Sequence, residues 1–383
     1  MVPANRTFSE KRDHSDDRAI RDQGAFESFV ADVRGCVDGW LASWLDVRVS
    51  EARRRGPDVA VVADAVRQLV LRGGKRMRAV LLAVAYRACG GDGALDVIAP
   101  AGAALELLQA YLLAHDDWMD GDDVRRGGPS VPAMMRARFG GESSVLEDTS
   151  PPSTTRGQHR CDAASVLAGD LAAAWALGSM LELTIAPARV TLALKELGRV
   201  EADVVQGQVV DVCTASSDRA DVEAGYALKT GSYTVRGPIL MGAHLAGASD
   251  PQIESLTAFA EPLGVAFQLR DDVLGTFGDA TLTGKPSGGD LKKGKHTALV
   301  VDAIREPRAR ELLSRVMGRS DAADSDTAAA IAAIEASGAR ARVEERIAWL
   351  AGGALRVLDR ACLTPPGRSL FAQAVVALTE RDR

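Results

Sequence analysis

Cysteine is scarce: Cys36, Cys89, Cys161, Cys213 and Cys362 are scattered over 383 residues, odd in number and without a CxxC pair. That excludes a disulfide framework and a paired-cysteine metal site, and it is read as reduced thiols in a cytoplasmic protein. Basic residues are not in excess. Against 52 acidic side chains stand 46 basic ones, a net charge of −6, so no nucleic-acid partner is expected. Aromatics reach only 4%, which weighs against an aromatic-lined pocket. The N-terminus is polar and charged without a signal-peptide pattern, and no unbroken apolar run is judged long enough to span a bilayer. No run of alternating β-branched residues announces a sheet, and no repeat of fixed period is present. The five histidines, His14, His115, His159, His244 and His296, show no metal-ligand spacing.

What is present is helix. From Ala25 onward alanine, leucine, arginine and glutamate dominate with a helical period. Helices are expected over, among others, 25–47, 58–72, 76–89, 95–120, 163–185, 188–214, 219–246 and 251–277, separated by joints such as Arg55-Gly56-Pro57 and Gly284 to Gly294. The fold class implied is all-α, a single large helical bundle whose sites are built from side chains on facing helices. Residues 1–24 lack an apolar period and are expected to be a disordered tail, leaving 25–383 as one domain. Within it, the Ser/Thr/Pro/Gly-rich stretch at about 140–162 is expected to be a flexible insertion.

The chemistry concentrates in a few stretches. Leu107 to Pro129 reads LLQAYLLAHDDWMDGDDVRRGGP. On a helix Asp116 and Asp120 share a face with Asp117 alongside, so three carboxylates repel unless a cation sits among them. All-oxygen ligands suit Mg²⁺, which completes its shell with water and phosphate. Arg125 and Arg126 then offer guanidinium forks for phosphate. Taken alone, an acidic helix end is equally a solvated surface. Upstream, GGKRMR puts Lys75, Arg76 and Arg78 at a helix start, an anion site in kind but without the Walker pattern. Downstream, FQLRDDVLGTFGD sets Asp271 and Asp272 after an apolar run, with Gln268 one turn before Asp271. Between the acidic sites lie Gln208, Asp211, Lys229, Thr230 and Tyr233. A glycine-rich basic loop, TGKPSGGDLKKGKHT, follows with Lys285, Asp290, Lys292, Lys293 and Lys295, suited to closing over phosphate.

Two aspartate-rich motifs on separate helices, GGKRxR upstream, RR after the first, KT between and a basic loop last: in this order the motifs resemble those of the trans-isoprenyl diphosphate synthases (polyprenyl synthetase family), from about Ala25 to Arg383. The resemblance implies the isoprenoid synthase fold, a homodimer of helical bundles around a central cavity. It implies that Asp116, Asp117 and Asp120, with Asp271 and Asp272, hold three Mg²⁺ ions on an allylic diphosphate. Arg125, Lys229, Lys285 and Lys295 would bind that diphosphate, and Lys75, Arg78, Gln109 and Arg126 would bind isopentenyl diphosphate. Thr230, Gln268 and the backbone near Lys229 are assigned to the allylic cation.

Product length depends on the cavity floor. Leu112 and Leu108 lie one and two turns below Asp116. Family members that stop at fifteen carbons carry aromatics four and five positions before the first aspartate; here those positions are Leu112 and Tyr111. The expected product is therefore geranylgeranyl diphosphate, with farnesyl diphosphate or a longer chain as alternatives. The pattern departs from the family at Gly275, where a third aspartate is usual. A class I terpene cyclase would need a different second motif and an aromatic pocket. A non-catalytic subunit of a heteromeric synthase would have no use for both acidic sites.

Overall fold

The computed structural model describes residues 14–140, 154–213, 218–278 and 287–380, with side chains from residue 23 and, in the second segment, from residue 157. Among them it is built from sixteen α-helices and one π-helical segment. The order is α1 (His14–Arg55), α2 (Pro57–Leu71), α3 (Met77–Ala88), α4 (Ala99–Asp120), α5 (Val131–Phe139), α6 (Thr154–Met180), α7 (Pro187–Cys213) and α8 (Arg219–Tyr226). Next come the π segment (Ala227–Arg236), α9 (Gly237–Ala246), α10 (Asp250–Phe277), α11 (Gly289–Lys292), α12 (Ala298–Ala303), α13 (Pro307–Leu313), α14 (Asp324–Ala336), α15 (Ala339–Arg360) and α16 (Pro365–Thr379). The all-α expectation holds. The only strands described are Val124–Arg125 and Gly128–Pro129, a tight hairpin directly after the first acidic stretch.

Burial explains the arrangement. In α3 and in the first half of α4 nearly every residue is buried, so these two helices form the centre. Around them α1, α2, α5, α6, α7, α9, the first half of α10, the end of α15 and α16 contribute to the larger core. A second core joins the rest of α10 to α12, α13, α14 and α15. The length of α10 thus ties the two cores together, with Asp271 and Asp272 in its last two turns rather than at its end.

Three expectations are corrected. Helix α1 begins at His14, inside the stretch expected as a tail. Helix α6 begins at Thr154, so only 141–153 of the expected insertion remain, and they lie outside the described residues. Length and apolar content also let two helical stretches, Leu95–Asp120 and Gly157–Met180, pass the test for a membrane span, contrary to the sequence reading; the first is 78% buried within the fold. Averaging over alanine-rich turns, rather than unbroken runs, is what brings them over that threshold.

The expected continuous helix 219–246 is interrupted by the π segment. Wider i→i+5 turns of this kind appear in short runs, often at functional sites. Here the π segment crosses α10 with almost no space between backbones: a Cβ added at Gly264 would fall 2.7 Å from the Gly231 Cα.

Candidate active site

Helix α4 stops at Gly121, whose φ of 67° no β-carbon residue adopts cheaply, one residue after Asp120. Its acidic residues therefore sit at a helix C-terminus, where the macrodipole disfavours anions, so they require cations from elsewhere. The fold supplies them. Asp117 is fully buried and accepts from Arg125, whose Nε lies 2.7 Å away. Arg125 also reaches Asp122 at 3.2 Å and Asp116 at 4.0 Å. Lys293 pairs with Asp122 at 2.7 Å and Asp120 at 3.1 Å. Lys229, from the π segment, stands 3.9 Å from Asp116 and also pairs with Asp211. Burial drives the Asp117 carboxyl above its usual range, only partly offset by Arg125, with Asp122 and Asp116 adding to the rise. For Arg125 burial pulls down, but Asp117, Asp116 and Asp122 together hold it above its ordinary value.

The second acidic site approaches the first through Lys295. Its ammonium lies 3.6 Å from Asp290 and 3.9 Å from Asp120, and burial, which lowers its pKa, is outweighed by Asp290, Asp120, Asp116 and Asp211. Lys295 thus joins Asp120 of the first cluster to Asp290, and its charge also acts on Asp272 of the second. Asp271 is partly exposed. Asp272, expected as a metal ligand, is only 4% exposed and has both oxygens engaged, one by the Tyr226 hydroxyl and the other by Gln268 Nε2 at 2.9 Å. Burial raises its pKa to about 7, the donors from Tyr226 and Gln268 opposing. The same contact corrects Gln268: its amide holds Asp272 instead of facing an allylic cation. Asp290 accounts for Gly275. A Cβ there would lie 2.9 Å from Asp290 Oδ2, so the space of the usual third aspartate is already taken by a carboxylate from the following loop. Restoring aspartate by Gly275→Asp is expected to cost about 1–3 kcal/mol through overpacking against a like charge, read as a lowered melting temperature.

A cavity of about 310 Å³ lies beneath the first site. Asp116, Gln208, Lys229 and Thr230 line it together with Tyr111, Leu112, Val204 and Val209, so charged and aliphatic groups bound one space. Tyr111 packs edge-on against His115, ring centroids 4.9 Å apart. The His115 Nε2 is 3.0 Å from the Val166 carbonyl, an acceptor only, which fixes the ring as a donor there. Leu108 is a correction: it is 1% exposed in the core and does not line the cavity.

A third group of cations lies across α4. Arg126, held at a left-handed φ of 52°, a conformation costing of the order of 1–3 kcal/mol, donates to Gln109 at 2.8 Å. Burial lowers its pKa, and Arg76, Arg78 and Arg125 press in the same direction against Glu106. Crowded guanidiniums of this kind favour an anion between them. Arg78 donates to Thr234 at 3.0 Å and covers the Tyr233 ring, while Lys75 is exposed just before α3. Arg76 departs from the expected anion group: it is buried and donates to Glu106, Asp38 and the Val70 carbonyl. Lys285 lies outside the described residues.

Sequence reasoning left out Arg72, which donates to the Arg125 and Pro129 carbonyls and so fixes the hairpin carrying both phosphate-type arginines. It also left out Asp122 and Tyr226 as members of the site. The density of charge in the first motif pointed to Asp122; nothing local pointed to Tyr226.

The residues present fit Mg²⁺. Asp117 Oδ2 is buried without a hydrogen-bond partner, and the donor set is all oxygen. Among the described residues no three acidic or imidazole groups converge closely enough to hold an ion alone, as expected where phosphate oxygens complete the shell.

Comparison with known proteins agrees with this geometry. Residues 59–334 match the family model described as Polyprenyl synthetase. A geranylfarnesyl diphosphate synthase of Aeropyrum pernix is 30% identical over 298 residues, 76% of this chain and 85% of that protein. A geranylgeranyl diphosphate synthase of Methanosarcina mazei is 30% identical over 270 residues, 70% of this chain and 74% of that one. The crystal structure of geranylgeranyl pyrophosphate synthase from Corynebacterium glutamicum, complexed with isoprenyl diphosphate and magnesium, superposes with a TM-score of 0.81. Its identity is 30%, covering 92% of this chain and 98% of that one.

Proposed function

We propose, from the premise that the chain belongs to the polyprenyl synthetase family and is a trans-isoprenyl diphosphate synthase, that it condenses isopentenyl diphosphate with dimethylallyl, geranyl or farnesyl diphosphate to give geranylgeranyl diphosphate. The observation that carries this reading is a single cavity with Asp116 and Lys229 among its polar lining and Leu112, Leu113, Val204 and Val209 among its apolar lining. Such a space accepts a molecule charged at one end and hydrocarbon at the other.

Asp116, Asp117 and Asp120, with Asp271 across from them, would hold the metal, and Lys229 and Lys295 the allylic diphosphate. When bound, Mg²⁺ neutralises charge on the diphosphate and polarises the leaving oxygen. As the allylic C–O bond breaks, pyrophosphate leaves with the electron pair, and cations fixed in advance stabilise that charge without reorganising. Arg125 belongs to this set, positioned by Asp117. The carbon left cationic meets Thr230 and a wall that is largely aliphatic, Leu112, Val204 and Val209 among it. Lys75, Arg78, Gln109 and Arg126 hold isopentenyl diphosphate so that its double bond attacks that carbon. A proton then passes to the released pyrophosphate.

Exposed leucines and valines, Leu167 and Leu177 on α6, Leu181 just after it, and Leu192 and Val210 on α7, support a homodimer through these two helices, since such an apolar face is rarely left in water. Five unpaired cysteines fit the cytoplasm.

The test is incubation with labelled isopentenyl diphosphate, each allylic primer and Mg²⁺, with product length read by chromatography. Twenty-carbon product is expected, and absence of condensation with every primer refutes the activity. Tyr111→Ala is expected to move the main product beyond twenty carbons, because the Tyr111 ring closes the aliphatic end beside His115. An unchanged distribution removes Tyr111 from that role.

A further inference from the structure

Tyr226 is the last residue of α8 and immediately precedes the π segment, three positions before Lys229. Its hydroxyl donates to Asp272 Oδ2 on α10 and accepts from the Ala298 N–H, 3.0 Å away, at the first residue of α12. Ala298 lies three positions after Lys295, and Thr297 between them caps α12 by accepting from Val300. One phenolic oxygen therefore joins the three chain segments that deliver Lys229 with Thr230, Asp271 with Asp272, and Lys295. These segments are far apart in sequence, Tyr226 lying 46 positions from Asp272 and 72 from Ala298. The ring itself packs on the second core, and burial first, then Asp272, keeps the hydroxyl protonated as a donor.

We propose that Tyr226 is a positioning residue for the diphosphate-metal end of the site: its hydroxyl sets the spacing of the π segment, the second acidic motif and the Lys295 loop. The proposal rests on the activity assigned above. It gives Asp272 a purpose as well, since a carboxylate held by Tyr226 and Gln268 fixes the orientation of its neighbour Asp271 on α10. Partners of this kind, one step removed from a metal, are worth roughly 10–100-fold in metal affinity or activity when removed.

The test is Tyr226→Phe, which keeps the ring packed on the second core and deletes one oxygen. Calorimetric titration with inorganic pyrophosphate plus Mg²⁺ reports on the affected end, and titration with isopentenyl diphosphate reports on the Arg78, Gln109 and Arg126 end. Expected is about a tenfold weaker binding of Mg²⁺-pyrophosphate, a matching rise in the Mg²⁺ concentration for half-maximal rate and in KM for the allylic substrate, and an unchanged KM for isopentenyl diphosphate. Unaltered Mg²⁺-pyrophosphate binding overturns the proposal. So does equal weakening of both ligands with a lowered melting temperature, which marks the hydroxyl as a general prop. Wild-type protein that binds no Mg²⁺-pyrophosphate refutes the activity itself, and the proposal falls with it.

Discussion

Asp116→Ala is expected to abolish turnover, by roughly three orders of magnitude or more, the scale lost when one fixed electrostatic contact to developing charge is removed, while leaving the melting temperature almost unchanged. The separation of the two effects follows from distance. The contacts of Asp116 to Gln208, Lys229 and Arg125 are 3.4, 3.9 and 4.0 Å long, and pairs so loose and partly solvated contribute about 0–1 kcal/mol. Asp117→Ala is the contrast. Asp117 is fully buried against Arg125, and losing that charged hydrogen bond costs about 1.5–3 kcal/mol of stability, because Arg125 would remain largely buried with only Asp122 close by. Labelled-substrate assays beside thermal denaturation separate the two variants. An Asp116 variant with near-normal activity contradicts the metal assignment, and an Asp117 variant as stable as wild type contradicts the pairing.

The largest effect on stability is expected at Arg76. It is buried with Glu106, their side chains 1% and 2% exposed at a separation of 2.7 Å, and it also donates to Asp38 and the Val70 carbonyl, 2.8 Å each. Burial opposes its charge, yet Glu106 and Asp38 together raise its pKa above the ordinary value. Arg76→Met strands Glu106 in the middle of α4, and an unpaired buried charge costs about 3–5 kcal/mol. For a chain of this size that is about 5 °C in melting temperature. Arg76→Lys should recover little, since an ammonium cannot present three fixed donors to three acceptors. The double variant Arg76→Met with Glu106→Leu should regain part of the loss, because replacing both charges removes the penalty that removing one creates. Unfolding curves for the four proteins decide the matter, and a single variant as stable as wild type is the contrary result.

Arg76 also marks where reading from sequence stops. GGKRMR shows three cations at the start of a helix, and nothing in those six letters says that the middle one turns inward. Its acid partners lie 30 and 38 positions away. Most helices, by contrast, were legible, because alanine and leucine at helical spacing report burial directly. The facing of α4 was not. A helix surrounded by protein on all sides has no polar stripe to show which side borders the cavity, and for that reason Leu108 was placed at the floor while Tyr111 and the valines of α7 hold that position. The pairing of Gln268 with Asp272 was available in principle, being four residues apart on one helix. The link of Asp272 to Tyr226 was not, with 46 residues between them. The motifs were legible because charge concentrated on apolar helices is costly, and sequences retain it only where something offsets the repulsion.

The crossing of Gly231 and Gly264 sets the spacing of two elements that carry the site. Where two backbones meet without side chains between them, the π segment and α10 approach as closely as backbone allows. Lys229 lies two residues from it along the π segment and Asp271 seven residues along α10, a rise of about 10 Å at 1.5 Å per residue. Both groups are thus carried by helices whose separation is set at that contact. The segment bearing Lys293 and Lys295 is held instead by ion pairs to Asp120 and Asp122, contacts between charged side chains rather than between backbones.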